Sequence, residues 1–374
     1  MVPNNRITLV YIADGASVHT ESFLRYFADR GYDVHLITFN PSKIKNVKIH
    51  CVSPSRIKIL LRLIQPILLM RKIRPKILHA FYATHNGAIG AWTGFHPFIL
   101  SVMGSDVTIA PETSRIIRFM VKFALTRSDM VNVSDSTLKE RLEELGCDGR
   151  KILVQEWAVN VREFSPEARD EDLRMRLGIN DSYSVINAYS WETDYSVDVL
   201  IRAIPYVLRE LPNVKFILLG GGSLEGKLEE LARELGVYES VLFVGKVPKS
   251  VMPKYLASVD AIVDTLSDYA HDRSGRVVKR KKGMGIGQTN REAMACGTPQ
   301  ILSDSVSFKS YKPFKGLMYR QLDHWDLADK IVQLLKDKAL REKIGRESRQ
   351  YIMEHCNEDT IMRNWERIYH KLSE

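Results

Sequence analysis

Gly283-Met284-Gly285-Ile286-Gly287-Gln288-Thr289-Asn290-Arg291-Glu292-Ala293-Met294-Ala295-Cys296-Gly297-Thr298-Pro299 runs directly into Gln300-Ile301-Leu302-Ser303-Asp304. A glycine-rich entry, a short helix carrying Glu292, a Gly-Thr-Pro exit and an apolar strand form the helix-to-strand half of a βαβ unit. The same alternation precedes it from Ser184 onward: strand VINAYS, helix VDVLIRAIPYVLRELP, strand VKFILLG, helix LEGKLEELARELG, strand VLFVG, helix MPKYLASV and strand AIVDTL. Apolar strands separated by amphipathic helices imply an α/β domain whose parallel sheet is covered on both faces.

The N-terminal half repeats the pattern. Ile7 to Ile12 reads as a strand, Glu21 to Arg30 as a helix with Phe23, Leu24 and Phe27 on one face, and Gly31 as its stop. Val34 to Phe39, Ile77 to Phe81 and Phe98 to Met103 read as further strands, and Ile57 to Ile73 as a helix interrupted near Pro66. Pro166 and the charged run after it read as an interdomain linker. The expected organisation is therefore two doubly wound domains, 1–165 and 166–350, with a closing helix in 351–374 that packs back on the first.

With 374 residues, 45% hydrophobic and 26% charged, the chain can bury a sizeable core, which excludes disorder and a small stapled scaffold. Cys51, Cys147, Cys296 and Cys356 lie far apart without CxxC spacing, which argues against a metal site or a disulfide framework and fits a cytoplasmic setting. The opening MVPNNRITLVYIADG reads as a first strand rather than a signal peptide, and IKILLRLIQPILLM is too short and too charged to span a bilayer. Fifty-four Lys plus Arg against 45 Asp plus Glu give a net charge of +9. From Val34 to Ser105 there is no Asp or Glu at all, while Lys and Arg recur, so one face of the N-terminal half is expected to be positive.

Leu219-Gly220-Gly221-Gly222-Ser223 follows a strand and opens a helix, where a parallel sheet presents N–H groups to a ligand. The same glycines also suit a tight strand-to-helix turn. GxGxxG spacing is absent, which disfavours a dinucleotide oxidoreductase.

The Gly283–Pro299 block resembles the C-terminal signature of retaining glycosyltransferase family 4, a GT-B group that transfers sugar from a nucleotide diphosphate sugar. The likeness extends through ILHAFYATHNGAIGAW, SVMGSDV, SDSTLKERLEELG, LLGGGSLEGKLEELARELG and VLFVGKVPKSVMPKYLASVDAIV. It implies two Rossmann-like domains facing across a cleft, the first on the acceptor side and the second holding the nucleotide sugar. It also implies a UDP- or GDP-linked donor, a glycan or lipid-linked saccharide acceptor, and no required cofactor or metal. Gly222, Gly285, Gly287, Gln288, Thr289 and Asn290 are then donor-binding candidates, because a glycine-flanked helix N-terminus offers N–H donors to a diphosphate. Glu292 resembles the carboxylate that accepts from the ribose hydroxyls, and Gly15 and His19 lie in the loop that faces the diphosphate in the family. Asp106 is a catalytic candidate for orienting an acceptor hydroxyl or, equally, a loop-capping aspartate. His79 reads as a core histidine.

Departures from the family pattern accompany the likeness. Met284 stands where the family carries a carboxylate that holds the transferred sugar, and Asp268, after strand AIVDTL, is the candidate replacement. The segment between them, YAHDRSGRVVKRKKGM, reads as an insertion whose Arg276, Lys279, Arg280 and Lys281 form either a basic lid over phosphates or a solvated loop. Met103 replaces the family's histidine, and Ser190 and Tyr195 replace its Arg and Lys. Three accounts follow, in this order: the insertion restores the charge, the donor differs, or a non-catalytic GT-B protein binds a glycan, lipid or partner. A phosphorylase or epimerase on the same fold ranks below these.

The basic segment carries one further expectation. Its apolar and cationic residues suit a helix lying on an anionic membrane surface, which would place the protein peripherally at the inner face of the cytoplasmic membrane. The competing reading packs Leu60, Leu63, Ile67 and Leu68 on the sheet. No stacking platform accompanies the charge, so nucleic acid is not an expected partner.

Overall fold

The computed structural model describes residues 7–52, 59–271, 277–279, 286–305 and 316–374. These fall into two compact units, one of Met1–Glu156 with Met362–Glu374 and the other of Trp157–Ile361.

In the first unit the strands β1 (Thr8–Ile12), β2 (Asp33–Thr38), β3 (Lys48–Cys51), β4 (Ile77–Phe81), β5 (Phe98–Ser101), β6 (Met130–Val133) and β7 (Ile152–Val154) form one parallel sheet ordered β3-β2-β1-β4-β5-β6-β7. The helices are α1 (Val18–Asp29), α2 (Ile59–Ile73), α3 (His85–Trp92), the single turns α4 (Ser105–Thr108) and α5 (Ala110–Thr113), then α6 (Arg115–Arg127) and α7 (Thr137–Glu144). Alternation along β1 and β4 shows that both faces of these strands are buried. Val10, Ile12, Leu78 and Ala80 join the core that includes Met70 of α2, Ile89 of α3 and Val121 of α6. Tyr11, His79 and Phe81 meet Phe23 of α1 on the opposite face. The final helix, Glu358–Ser373, completes that face with Trp365 and Tyr369, both buried.

The second unit opens with α8 (Glu171–Leu177) and continues with β8 (Tyr183–Ala188), α9 (Val197–Glu210), β9 (Val214–Leu219), α10 (Glu225–Glu234), β10 (Val241–Gly245), α11 (Met252–Ala257) and β11 (Ala261–Val263). A two-stranded antiparallel ribbon of β12 (Tyr269–His271) and β13 (Val277–Lys279) precedes α12 (Gln288–Ala295), β14 (Gln300–Ser303) and β15 (Leu317–Tyr319). The main sheet is parallel and ordered β10-β9-β8-β11-β14-β15. Both sheets thus grow outward in both directions from their first strand, the doubly wound Rossmann-like pattern.

The structure departs from expectation at several places. α2 continues through Pro66, whose ring is buried; proline removes one hydrogen bond but does not end a helix that packing holds on both sides. β3 and β15 lack a long apolar run because they are short strands at sheet edges. Pro166 is not a linker: Val159 bridges Asn357, Phe164 is buried in the second core, and Asp170 accepts from Lys254 at 2.7 Å, so the second unit begins at Trp157. Leu68 does not pack on the sheet; it is 55% exposed, while Leu63 and Met70 face the core.

Candidate functional site

Ligands bind doubly wound sheets beyond the carboxyl ends of the strands, where the winding direction reverses. In the second unit that point lies between β8 and β11. Tyr189 directly follows β8 and Asp264 directly follows β11, and the tyrosine hydroxyl donates to Asp264 Oδ2. Asn290, in the first turn of α12, donates through Nδ2 to the same carboxylate oxygen at 2.5 Å and to the Tyr189 hydroxyl at 3.1 Å. The other Asp264 oxygen accepts from the Leu266 N–H at 2.8 Å. This buried constellation fixes the start of α12 against the loops after β8 and β11. Neither Tyr189 nor Asp264 stood out in the sequence, because each reads as the apolar-strand end it terminates.

The entry to α12 is left bare by its own side chains. Its N-cap is Gly287, exposed and without a side-chain cap, and Asn290 is turned to Asp264. Arg291, buried, ties the entry loop by donating to the Ile286 carbonyl. The first N–H groups of α12 have no partner within a helix, so this end favours an anion.

One turn further, Glu292 is only 6% exposed. Its Oε1 accepts from Gln288 Nε2 at 3.4 Å and lies 4.0 Å from Lys249 Nζ. Burial raises its carboxyl to about 7, against the opposing pull of Lys249. Gln288 Nε2 also donates to the Ala158 carbonyl at 3.0 Å. A carboxylate this desolvated is costly to keep unless hydroxyl or ammonium groups meet it, which makes it a functional-site signal.

The glycines of Leu219–Ser223 permit close packing of two loops. A side chain at Gly220 would collide with the Tyr189 carbonyl, and one at Gly222 with the Trp191 carbonyl and the Glu192 carboxylate. Ser223 completes the seam, its N–H donating to Glu192 Oε1 at 2.9 Å and its hydroxyl to Oε2 at 2.5 Å. Asp268 follows the β11 loop and is paired with Gln321, whose Nε2 donates to Asp268 Oδ2 at 2.8 Å while the Asp268 N–H donates to Gln321 Oε1 at 2.9 Å. Lys279 ends β13, so the basic insertion contributes a strand ribbon. Gly285, Arg276, Arg280 and Lys281 lie outside the described residues.

In the first unit the corresponding point lies between β1 and β4. Gly15 follows β1, donates its N–H to Thr38 Oγ1 at 2.9 Å, and has no room for a side chain beside Ser42. His19 lies in the first turn of α1. Asp106, fully buried, accepts from the N–H groups of Ala83 after β4 at 2.6 Å and Met103 after β5 at 3.0 Å. Burial raises its carboxyl to about 6. Both oxygens thus join two strand-end loops. His79 lies within β4 between the Tyr369 hydroxyl (2.7 Å) and the Ser101 hydroxyl (2.8 Å), and burial lowers it to about 3. It is a neutral core histidine that ties the final helix to the sheet.

Among the described residues, no group of three or more His, Cys, Asp or Glu side chains is arranged to hold a metal ion.

Comparison with known proteins gives this geometry a family. Residues 8–136 match the family described as Glycosyl transferase 4-like, and residues 170–351 match Glycosyl transferases group 1. The chain is 24% identical over 97% of its length, and 96% of the relative's, to N-acetyl-alpha-D-glucosaminyl L-malate synthase of Bacillus anthracis. It is 28% identical over 52% of its length, and 49% of the relative's, to a GDP-mannose-dependent monoacylated alpha-(1-6)-phosphatidylinositol monomannoside mannosyltransferase of Corynebacterium glutamicum. In fold it is similar to Anabaena Alr3699/HepE solved with UDP, with a TM-score of 0.77, 15% identity, and 98% and 100% of the two chains covered. A glycosyltransferase of Rickettsia africae superposes with a TM-score of 0.80 at 16% identity over 98% and 99% of the chains. With both halves matched in order and the GT-B neighbours aligned over nearly the full length, the chain belongs to the family-4-like glycosyltransferases of GT-B fold.

Proposed function

We propose that this glycosyltransferase moves a sugar, with retention of anomeric configuration, from a UDP- or GDP-linked donor to a hydroxyl of a glycan or lipid-linked saccharide. The observation that carries the reading is the glycine-capped N-terminus of α12, without a side-chain cap among the described residues, beside the buried carboxyl of Glu292 at the switch point of the second unit. A diphosphate meets the free N–H groups, and the Glu292 carboxylate accepts from the ribose hydroxyls, so one helix orients both parts of the nucleotide. Asp268, held by Gln321, faces the transferred sugar in place of the family carboxylate replaced by Met284. Arg276, Lys279, Arg280 and Lys281 supply the cations that Ser190 and Tyr195 do not.

In the transfer step the acceptor oxygen bonds to the anomeric carbon on the face from which the diphosphate departs. The bond between that carbon and the phosphate oxygen breaks, and the acceptor proton passes to the leaving phosphate. The protein's contribution is positioning and stabilisation of the departing charge. Asp106 serves the acceptor side by fixing the loops after β4 and β5.

Two comparisons support the donor and acceptor classes. The Anabaena neighbour was solved with UDP, and the Corynebacterium relative is named for GDP-mannose and a phosphatidylinositol monomannoside. Incubation with UDP- and GDP-sugars and a panel of glycan and lipid-linked acceptors tests the reading. NMR of the product is expected to show the donor's anomeric configuration; an inverted product, or nucleotide binding without transfer to any acceptor, would contradict it.

A further inference from the structure

Among the described residues of the first unit, the exposed large apolar side chains other than Val154 of β7 gather on one layer of helices. Ile64 and Leu68 of α2 are 38% and 55% exposed, Trp92 of α3 is 53%, and Ile116 and Phe119 of α6 are 72% and 69%. α3 packs against both α2 and α6, so these side chains stand on adjoining helices of one face of the sheet. A single exposed leucine needs no explanation, but a cluster of aromatic and aliphatic tips on neighbouring helices does.

None of α2, α3 and α6 carries a carboxylate; the exposed acids on this side of the sheet, Glu140, Glu143 and Glu144, stand on α7. Arg71, Lys72, Arg74 and Lys76 at the end of α2, and Arg115, Lys122 and Arg127 along α6, are exposed. Among the described residues from 59 to 127 the only carboxylates are Asp106, fully buried, and Glu112, whose carboxylate meets Arg141 at 2.5 Å. In α6 cations and apolar residues interleave: Arg115 precedes Ile116, Arg118 precedes Phe119, and Lys122 lies one turn on.

We propose that this face of the first unit docks on an anionic lipid bilayer, with Ile116 and Phe119 entering the acyl boundary, Trp92 at headgroup level, and the Arg and Lys side chains on lipid phosphates. The proposal rests on the transfer reading only in that a lipid-linked acceptor would be reached from such a surface. Protein interfaces deplete charge at their apolar core, whereas α6 sets a cation beside each of its exposed apolar tips, Ile116 and Phe119, the pattern of a helix lying in a membrane interface. Interfacial tryptophan and long basic side chains that reach for phosphates belong to the same pattern. No described helix is long and apolar enough to cross a membrane, so the docking is peripheral.

Flotation of the full chain with vesicles of phosphatidylcholine alone, or of phosphatidylcholine with phosphatidylglycerol, tests it without nucleotide or acceptor. Binding is expected only to the anionic vesicles and is expected to weaken at least 10-fold between low and high salt. I116D with F119D should abolish flotation while leaving the thermal midpoint unchanged, since both side chains are exposed. R115A with K122A should weaken it about 10-fold. A blue-shifted tryptophan emission on anionic vesicles should be lost in W92F. Absence of flotation, equal flotation on both vesicle types, or a dimer in solution that I116D/F119D dissociates would overturn the proposal while leaving sugar transfer intact.

Discussion

On the proposed reading, the buried carboxyl of Glu292 links stability to nucleotide binding. Its folded-state titration lies near 7, above the ordinary glutamate value of 4.5, so the folded protein holds a proton that the unfolded chain releases between those values. This group therefore favours folding below about pH 4.5 and loses that contribution as pH rises through 7. Glu292→Gln is accordingly expected to raise the thermal midpoint more at pH 8 than at pH 5, which differential scanning calorimetry at the two values would check. Ribose hydroxyls favour the charged carboxylate, so nucleotide affinity should increase as pH rises from 6 to 8, and Glu292→Gln should flatten that slope in titration calorimetry. Asp106 carries a different load. Its two oxygens satisfy the buried N–H groups of Ala83 and Met103, and an asparagine can accept from only one of them. Asp106→Asn is expected to destabilise the first unit by about 1–3 kcal/mol, and chemical denaturation would measure it.

At the scale of elements, α12 was legible because its glycines, its Gly-Thr-Pro exit and Glu292 are local signals. The constellation that positions it was not. Tyr189, Asp264 and Asn290 are separated by long stretches of chain, and only parallel pairing of β8 with β11 brings the first two together. Asn290→Leu should keep the fold but lower affinity for a nucleoside diphosphate more than for the matching monophosphate, because the first-turn N–H groups lose their placement. Equal losses for both would remove this role from Asn290. The final helix makes a parallel case. Its amphipathic pattern gave a helix, but its anchoring depends on Tyr11 donating to the Tyr369 hydroxyl at 3.0 Å and on Tyr369 reaching His79. With the Tyr369 proton directed to His79 Nδ1, Tyr369→Phe should cost about 1 kcal/mol. Trp365→Ala, which empties a buried site, should cost about 3–5 kcal/mol in the same denaturation experiment.

Across the whole molecule, pattern alone gave the α/β class and the existence of two doubly wound units, since covered parallel sheets write apolar strands and amphipathic helices plainly. The seam between units was misplaced because Pro166 looks like a linker in composition, while Phe164 and the Val159–Asn357 bridge commit the preceding residues to the second unit. Charge behaved likewise: the acid-free stretch was visible at once, but that Leu68, Trp92, Ile116 and Phe119 share its face required the helices to be placed. The central claim, that α12 and Glu292 hold a nucleotide diphosphate sugar, is tested most directly by titration calorimetry of the wild type and Glu292→Ala with UDP, GDP, ADP and CMP. UDP or GDP is expected to bind, with at least a 10-fold loss in the variant, equivalent to about 1.4 kcal/mol. Wild-type affinity retained in Glu292→Ala, or no binding of any nucleotide to the wild type, would contradict it.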